Sequence, residues 1–145
     1  MRISTRGRYA TRVLVNMAIN YPDGKPARKQ EISKSEAISE DYLEQIFVKL
    51  KNSGIVNSKR GMKGGFALAK SAASITVAEV LEATEGPIRL VDCATENCPK
   101  AVSCVTKRLW DLAGDKLKQY FDGVTIADLA KQAGEVRSGS LSFEI

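Results

Sequence analysis

The feature that most restricts the fold of this chain is a helix-turn-helix pattern followed directly by a hairpin pattern. A short helix is predicted over about residues 28–35, and after a turn at residues 36–38 a longer helix begins with Ser39 as its N-cap. Apolar residues recur in the longer helix at offsets 0, 3, 4 and 7 and predict its buried face: Leu43, Ile46, Phe47 and Leu50. Gly54 ends this helix as a C-terminal cap. In a helix-turn-helix the second helix normally enters the major groove of DNA.

The polar side of that second helix carries groups suited to a DNA groove. Gln45 can pair with adenine through two hydrogen bonds, Glu44 can accept from the amino group of cytosine, and Lys49 can meet a phosphate. We therefore expect this helix to contribute the following DNA-binding residues: Ser39, Asp41, Tyr42, Glu44, Gln45 and Lys49. The more common fate of a polar helix face is contact with water alone, and the hairpin that follows is what weakens this alternative.

Two short strands at residues 55–59 and 66–69 are predicted to form that hairpin around a glycine-rich turn. Arg60 and Lys63 make the turn cationic, and a glycine such as Gly64 lets the backbone approach a sugar-phosphate surface closely. Arg60 could also enter an adjacent minor groove. A nucleotide-phosphate loop is the competing interpretation, but the spacing G-x-x-x-x-G-K-[ST] is absent and no helix follows at once. The hairpin is therefore interpreted as a wing that contacts DNA.

Charge is distributed unevenly along the chain. Residues 1–70 carry 14 lysines and arginines against 6 acidic residues, whereas residues 71–145 carry 8 against 11, for a net charge of +5. A basic first half suggests a polyanionic partner, most often nucleic acid. Because no apolar run approaches the ~20 residues of a membrane helix and the N-terminus is not of signal type, we expect a cytoplasmic protein without a membrane partner. Binding to a membrane surface would explain the charge but not the wing.

The second half of the chain is dominated by one long amphipathic pattern. Its apolar residues recur at offsets 0, 3, 7, 10, 11, 15, 18 and 19: Val102, Val105, Leu109, Leu112, Ala113, Leu117, Tyr120 and Phe121. This stripe of about five turns has too few partners within one chain, so we expect it to pair with its copy in a homodimer. Thr76 opens a connector helix before it with a capping box, and Thr125 caps a short helix after it.

These patterns predict a mainly α chain with a small β-hairpin, in which a winged helix-turn-helix domain is joined to a long dimerisation helix. Its expected parts are a DNA-binding domain with the connector helix at residues 1–86, a cysteine loop at 87–104, the dimerisation helix with a short C-terminal helix at 105–132, and a flexible tail at 133–145. With no Ser/His/Asp set and no convincing carboxylate pair, we do not expect an enzyme.

Three cysteines lie close together in a chain that contains no histidine. Cys93, Cys98 and Cys104 follow the spacing C-x4-C-x5-C in a polar, turn-rich stretch and are predicted to bind a metal. Thiolates select zinc, copper(I) or iron–sulfur clusters, all of which usually take four ligands, so a fourth ligand has to come from elsewhere. Three ordinary thiols are the alternative, and a disulfide framework fits poorly because the count is odd.

The sequence resembles the IscR-like winged-helix regulators, which bind iron–sulfur clusters. The resemblance is carried by the three cysteines and by three runs of residues: 1–10, 39–47 and 60–66. It extends from Met1 to about Gln132. It implies a homodimeric bacterial transcription factor with a cluster, [2Fe-2S] favoured over [4Fe-4S], that controls binding to double-stranded operator DNA. It also implies that cluster-assembly genes are the targets, and that the residues in contact with DNA include Glu44, Gln45 and Arg60.

This chain departs from that family at the positions that complete the cluster. In the group most like it, a histidine three residues after the last cysteine is a ligand, and this position is Lys107 here. In the nitric-oxide-sensing relatives an aspartate of the first helix can ligate, and the matching residue is Arg8. The spacing of the first two cysteines is also one residue shorter. Candidate fourth ligands, beside a hydroxyl, water or small thiol, are the carboxylates Asp92, Glu96 and Asp111.

The resulting hypothesis is a repressor whose cluster orders the cysteine loop and thereby sets the two winged domains relative to each other. A thiol-redox or zinc-dependent regulator would use the same cysteines without iron. A nitric-oxide- or iron-sensing repressor is a further alternative within the same family.

Overall fold

The computed structural model describes residues 2–94 and 98–139, which form six α-helices and one two-stranded antiparallel sheet. In chain order these elements are α1 (Thr5–Asn20), α2 (Lys29–Glu36), α3 (Glu40–Asn52), β1 (Val56–Lys59), β2 (Gly65–Leu68), α4 (Val77–Glu85), α5 (Val105–Asp122) and α6 (Ile126–Arg137). Two short 3₁₀ turns lie at Ala72–Ser74 and Asp92–Ala94. The predicted fold class, mainly α with a small hairpin after a helix-turn-helix, is confirmed.

The turn between α2 and α3 has a defined backbone conformation. Ala37 adopts the left-handed region with φ of 53°, and the N–H of Ile38 donates to the carbonyl of Ser33 at 3.1 Å. Ser39 then caps α3 as predicted, because its hydroxyl oxygen accepts from the N–H of Tyr42 at 3.3 Å. This sharp, capped turn sets the direction in which α3 leaves α2.

The end of α3 and the start of the wing also follow the sequence closely. Gly54 has φ of 70°, and the N–H of Ile55 donates to the carbonyl of Leu50 at 2.9 Å, which closes the helix with a left-handed cap. β1 begins one residue later than predicted and ends at Lys59 as predicted, while β2 begins and ends one residue earlier than predicted. The strands pair from Val56 opposite Leu68 to Lys59 opposite Gly65. The wing is therefore a short antiparallel hairpin directly after α3.

One apolar core lies beneath the helix-turn-helix. α1 packs against α4 and α6, and α3 packs against α4 and β1. Most of the largest fully buried side chains come from α1, α2, α3 and the start of the hairpin, and two more come from the segment just before α4 and from α6: Leu14, Met17, Ile32, Leu43, Ile46, Phe47, Leu50, Ile55, Ile75 and Ile126. Burying each such side chain contributes roughly 1.5–3 kcal/mol. The core thus packs against the apolar side of α3, and the polar side of this helix faces outward.

The last residue of α4 is joined to the beginning of α1. Ser4 donates from its backbone N–H and from its hydroxyl to Oε1 of Glu85, each at 3.0 Å, and the same hydroxyl oxygen accepts from the N–H of Gly7. Gly7 is buried against this carboxylate, and a Cβ there would lie 2.1 Å from Oε1. The N-terminus of α1 and the C-terminus of α4 are therefore in direct contact.

The C-terminal helix is longer than predicted. α6 begins at the Thr125 cap as expected but runs to Arg137, so the expected tail at residues 133–145 does not hold for residues 133–137. A single glycine such as Gly134 costs a helix only about 1 kcal/mol, and the helix-favouring residues around it offset that cost. The last six residues, 140–145, lie outside the described part of the chain. None of the helices in the described part is long and apolar enough to cross a bilayer.

Candidate nucleic-acid interface and cysteine segment

The outward side of α3 presents most of the side chains predicted to bind DNA. Asp41, Glu44 and Gln45 are exposed, and Lys49 is partly exposed. The first turn of the helix is acidic and its last turn is basic, with Lys49 and Lys51 near the end. The structure thus brings the predicted base-reading and phosphate-binding groups onto one open surface.

Two of the predicted DNA-binding residues also hold the start of α3. Ser39 provides the cap described above, and its partner Tyr42 is partly exposed. The ring of Tyr42 meets the ring of Tyr9 edge-on, with centroids 6.0 Å apart. Removal of either side chain would therefore disturb the position of α3 as well as any contact with DNA.

Glu44 is held by a lysine from the preceding helix. Nζ of Lys29, the first residue of α2, lies 3.1 Å from Oε2 of Glu44. The hydrogen bond to this carboxylate raises the pKa of Lys29 above its ordinary value, so the ammonium is charged at neutral pH. The ion pair therefore joins α2 to α3 on the outward side of the helix-turn-helix.

The wing presents a cationic surface, and hydrogen bonds hold its turn in place. Arg60 and Lys63 are exposed, and Met62 between them is 95% exposed. The N–H of Gly64 donates to the carbonyl of Gly61 at 2.9 Å and closes the turn. A second tie comes from the N-cap residue of α2, since the guanidinium of Arg28 donates to the carbonyl of Met62 at 2.9 Å.

Gly64 has a packing role that its predicted role in DNA binding did not include. A Cβ at this position would lie 2.3 Å from the carbonyl oxygen of Lys59 and 2.9 Å from that of Gly61. The atoms in the way are backbone, which cannot move aside without opening the turn. The absence of a side chain at Gly64 is thus required by the wing itself.

The wing and α3 are joined at their base. Nζ of Lys51 in α3 donates to the hydroxyl of Ser58 in β1 at 2.9 Å. Nζ of Lys59 joins the wing to the loop between α1 and α2, because it donates to the carbonyl of Gly24 at 2.8 Å. These bonds orient two lysines along the wing. The interface is therefore built from α3, the wing and the first residues of α2.

The cysteines lie between α4 and α5, in what is called here the cysteine segment, residues 87–104. Cys93 is exposed in the 3₁₀ turn Asp92–Ala94, Cys98 is partly exposed, and Cys104 is the N-cap residue of α5. All three are free thiols. Among residues 2–94 and 98–139, no three Cys, Asp or Glu side chains are close enough together to hold a metal ion. One candidate fourth ligand, Glu96, lies outside these ranges.

Cys104 has an environment that favours its thiolate. Its sulfur lies 3.2 Å from the hydroxyl of Thr106, and this hydrogen bond, with those from the N–H groups of Lys107 and Thr106, lowers the pKa of the thiol. Thiolates are the form that binds soft metals and that reacts as a nucleophile. The start of α5 therefore carries a thiol that ionises more readily than an ordinary cysteine.

Lys107, at the position of the family's histidine ligand, is already paired. Its ammonium forms an i,i+4 ion pair with Asp111, which raises the pKa of Lys107, and the sulfurs of Cys93 and Cys104 add to this effect. Asp111, a candidate fourth ligand, is thus engaged by a cation, and the cation lies near two of the thiols. The sequence identified both residues but gave no sign of their pairing with each other.

Three residues of the interface were not singled out by the sequence patterns. Arg28 and Lys29 open α2 and contact the wing and α3, and Met62 lies at the wing tip. A lysine or arginine at a helix start is too common to be diagnostic, because its partner is known only once the two helices are packed.

A family description and several relatives match this chain over most of its length. The family described as Rrf2, iron-dependent transcriptional regulator, matches residues 3–132. The regulator IscR of Escherichia coli is 35% identical over 130 residues, which are 89% of this chain and 80% of that protein.

Two solved structures share the fold. CymR, the global cysteine regulator of B. subtilis, is 33% identical with a TM-score of 0.74, covering 91% of this chain and 98% of CymR. IscR of T. potens is 28% identical with a TM-score of 0.76, covering 94% of this chain and 91% of that one. These relatives are transcriptional regulators and not enzymes, and the winged-helix architecture predicted from the sequence is confirmed. The chain belongs to the Rrf2 family of transcriptional regulators.

Proposed function

We propose that this chain is an iron–sulfur-cluster-dependent repressor of cluster-biogenesis genes that binds its operator as a homodimer. The observation that carries the proposal is the position of the three thiols: they lie in the segment that leads directly into α5, and Cys104 occupies the N-cap position of that helix. A group bound there would act on α5, whose apolar residues are largely exposed and which packs on α4. We therefore expect this segment to regulate DNA binding through its connection to α5.

The open surface of α3 and the wing supports operator binding. Gln45 can read adenine and Glu44 can read cytosine, while Arg60 and Lys63 extend the contact to phosphates or an adjacent minor groove. Lys49 lies toward the end of α3, where a phosphate of the groove edge would pass. Family members bind DNA as transcription regulators, and the lysines and arginines of this surface support that role here.

The exposed side of α5 supports a homodimer. Val105 is 86% exposed, Leu109 and Leu112 are each 55% exposed, and Tyr120 is 68% exposed, all on one amphipathic helix. An apolar row of this length in contact with water is unfavourable and is typical of a surface that pairs with another protein. A second copy of the same helix is the partner that the pattern predicts. Such a dimer would place its two recognition helices about 34 Å, or a multiple of that, apart on near-palindromic DNA.

The donor set of the cysteine segment fits an iron–sulfur cluster chemically. Cys93, Cys98 and Cys104 would hold it, since thiolates are the usual ligands of such clusters and the Cys104 thiol ionises readily. A bound cluster, [2Fe-2S] favoured over [4Fe-4S], would supply a redox-active iron centre. Lys107 replaces the family's histidine, so the fourth ligand would be a carboxylate such as Asp92, or a hydroxyl, water or small thiol.

The chain's own residues suggest how the segment would act on DNA binding. Three ligating cysteines would fix residues 93–104 against the start of α5, and α5 packs on α4, which ends at the contact of Glu85 with Ser4. The orientation of α5 relative to the winged domain would then depend on the order of the cysteine segment. A coupling of about 1–3 kcal/mol changes DNA affinity roughly 5- to 150-fold.

A thiol-dependent regulator without iron is the second candidate. The lowered pKa of Cys104 and the ammonium of Lys107 near it favour thiolate chemistry, and CymR, to which this chain is similar, is a cysteine regulator. In that case disulfide formation or zinc binding at the same cysteines would replace the cluster.

The two candidates are separated by purification of the full chain without oxygen. We expect a coloured dimer that contains iron and acid-labile sulfide, and a change in operator affinity when the cluster is removed by a chelator. A colourless, iron-free protein even after chemical reconstitution would overturn the cluster proposal. If operator binding then responds to thiol oxidants or zinc, the second candidate is correct.

A further inference from the structure

The ion pair between Lys29 and Glu44 lies at the centre of the proposed interface. Lys29 is 28% exposed at the start of α2, and Glu44 is 49% exposed on the outward side of α3. Nζ of Lys29 donates to Oε2 of Glu44 at 3.1 Å. Within the part of the chain that the structure describes, only Lys29 donates to this carboxylate.

An unpaired carboxylate would be a poor residue at this position. DNA presents a dense row of phosphates on both edges of the major groove, and a negative side chain that enters it is repelled by them. A carboxylate accepts hydrogen bonds but donates none, so it can be matched only to an amino group of a base, with cytosine as its usual partner. Lys29 offsets the negative charge and occupies Oε2, while Oε1 stays available.

We infer that Lys29 determines the base preference of α3 by neutralising Glu44 and orienting its carboxylate, so that Oε1 accepts a hydrogen bond from a cytosine amino group of the operator. Lys29 is a positioning residue here, because it acts on the base through Glu44. The inference rests on the proposed function, in which the outward side of α3 enters the major groove.

The ion pair of Lys29 and Glu44 contributes little to the stability of the fold. Ion pairs on a protein surface stabilise the folded state only weakly, because water already solvates both charges. When the pair is covered by DNA that water is displaced and the same two charges interact more strongly. The effect of Lys29 is therefore expected in the choice of DNA sequence rather than in stability.

The test uses the protein and three kinds of duplex: an operator selected from random DNA by the wild type, a series of that operator with one cytosine–guanine pair replaced in each member, and a random sequence. Fluorescence anisotropy at one fixed salt concentration gives the affinities. Thermal unfolding of each variant shows whether the fold is kept.

Lys29→Met is expected to reduce the preference for the operator over random DNA by about tenfold, the order of one base contact. Lys29→Arg should retain that preference. In a Glu44→Gln background, Lys29→Met should lower the affinities for operator and random DNA by the same factor, since the orienting role has gone. Lys70→Met, which breaks the comparable pair of Lys70 with Glu79 at 2.7 Å, is the matched control and should leave the preference unchanged.

Equal losses on operator and random DNA in the Lys29→Met variant with Glu44 intact would overturn the inference and make Lys29 a simple phosphate contact. A wild type that shows no sequence preference at all would instead overturn the proposed function, and this inference with it. The two failures are therefore distinguishable in the same set of measurements.

Discussion

The ring of Phe47 in α3 stacks on the ring of Phe66 in β2, with centroids 3.9 Å apart and planes 3° from parallel. Phe47 is fully buried, and Phe66 packs against the core from the wing. This contact joins the helix predicted to read the major groove to the strand that carries the wing. The relative position of the two parts of the candidate interface is therefore set in part by this aromatic pair, beside the hydrogen bonds of Lys51 and Arg28 to the wing.

Substitution of Phe66 by leucine should weaken the contact between α3 and β2. We expect the free energy of unfolding to fall by about 1 kcal/mol, because the aromatic contact is lost while apolar volume is largely kept. Urea denaturation measures the loss, and operator affinity should fall with it because the wing is no longer held at a fixed angle to α3. Unchanged stability and affinity would show that the stack is dispensable.

The two glycines Gly64 and Gly134 should respond oppositely to alanine. Gly64→Ala places a Cβ 2.3 Å from the carbonyl oxygen of Lys59, so the wing turn has to open and DNA affinity should fall. Gly134→Ala in α6 meets no atom within 4 Å and should stabilise the protein by up to about 1 kcal/mol. Measurements of DNA affinity and of thermal unfolding for both variants test these two expectations. A Gly64→Ala protein with full affinity would contradict the packing role.

Arg60 and Gln45 should affect DNA binding in different ways. Gln45→Ala is expected to relax operator preference, and Arg60→Ala to weaken binding, by about 1–3 kcal/mol if each residue contacts a base. Neither change should alter the melting temperature, since both side chains are exposed. Footprinting and anisotropy on the operator and on random DNA distinguish the two effects. An unchanged operator footprint would remove the residue concerned from the interface.

The role of Cys98 is testable against a neighbour in the same segment. Cys98→Ala should abolish cluster retention while it leaves a folded dimer, whereas substitution of the exposed Lys100 by alanine should keep the cluster. Visible absorption, iron and sulfide content and size-exclusion chromatography, all without oxygen, provide the measurements. Full reconstitution of the Cys98→Ala protein would exclude Cys98 from the ligand set.

The capping box of α4 predicts a dependence of stability on pH. Burial by itself would raise the pKa of Glu79, but hydrogen bonds from Lys70 and from the N–H of Thr76 outweigh it and bring the pKa below the usual 4.5. The stabilisation by Glu79 is therefore complete above the unfolded-state pKa and is lost as the pH falls through the folded-state pKa. Glu79→Gln should make the unfolding free energy less dependent on pH between about pH 5 and pH 3. Asp115→Asn, which removes an exposed carboxylate of α5, is the control. Identical pH profiles of wild type and Glu79→Gln would contradict the role of this pair.

Much of the fold follows from local signals in the sequence. The caps at Ser39, Thr76 and Thr125 and the left-handed Gly54 are each decided by one residue and its nearest neighbours, so they were predictable. The length of α6 was not, because Gly134 and the serines after it read as a loop. Helix-favouring neighbours, which no single position reveals, outweigh that glycine.

The candidate site was predictable as a set of residues but not as a set of contacts. The polar side of α3 is evident from the spacing of its apolar residues, whereas the partner of Glu44 depends on how α2 crosses α3. The pairing of Lys107 with Asp111 is compatible with the i,i+4 spacing, yet each residue was considered only as a neighbour of the cysteines. Pairwise contacts between elements are a product of tertiary packing and are not encoded in a local pattern.

The carboxylate of Glu85 leaves no room for a side chain at position 7 unless it moves away from Ser4. A methyl group on Gly7 would collide with Oε1 alone at close range, and because this oxygen ends a flexible side chain it can swing away without unfolding the domain. In doing so it would release both bonds from Ser4, so the start of α1 and the end of α4 would lose these hydrogen bonds to each other. A single added carbon atom at position 7 would thereby remove a link between the N-terminus of the winged domain and the helix that precedes the cysteine segment.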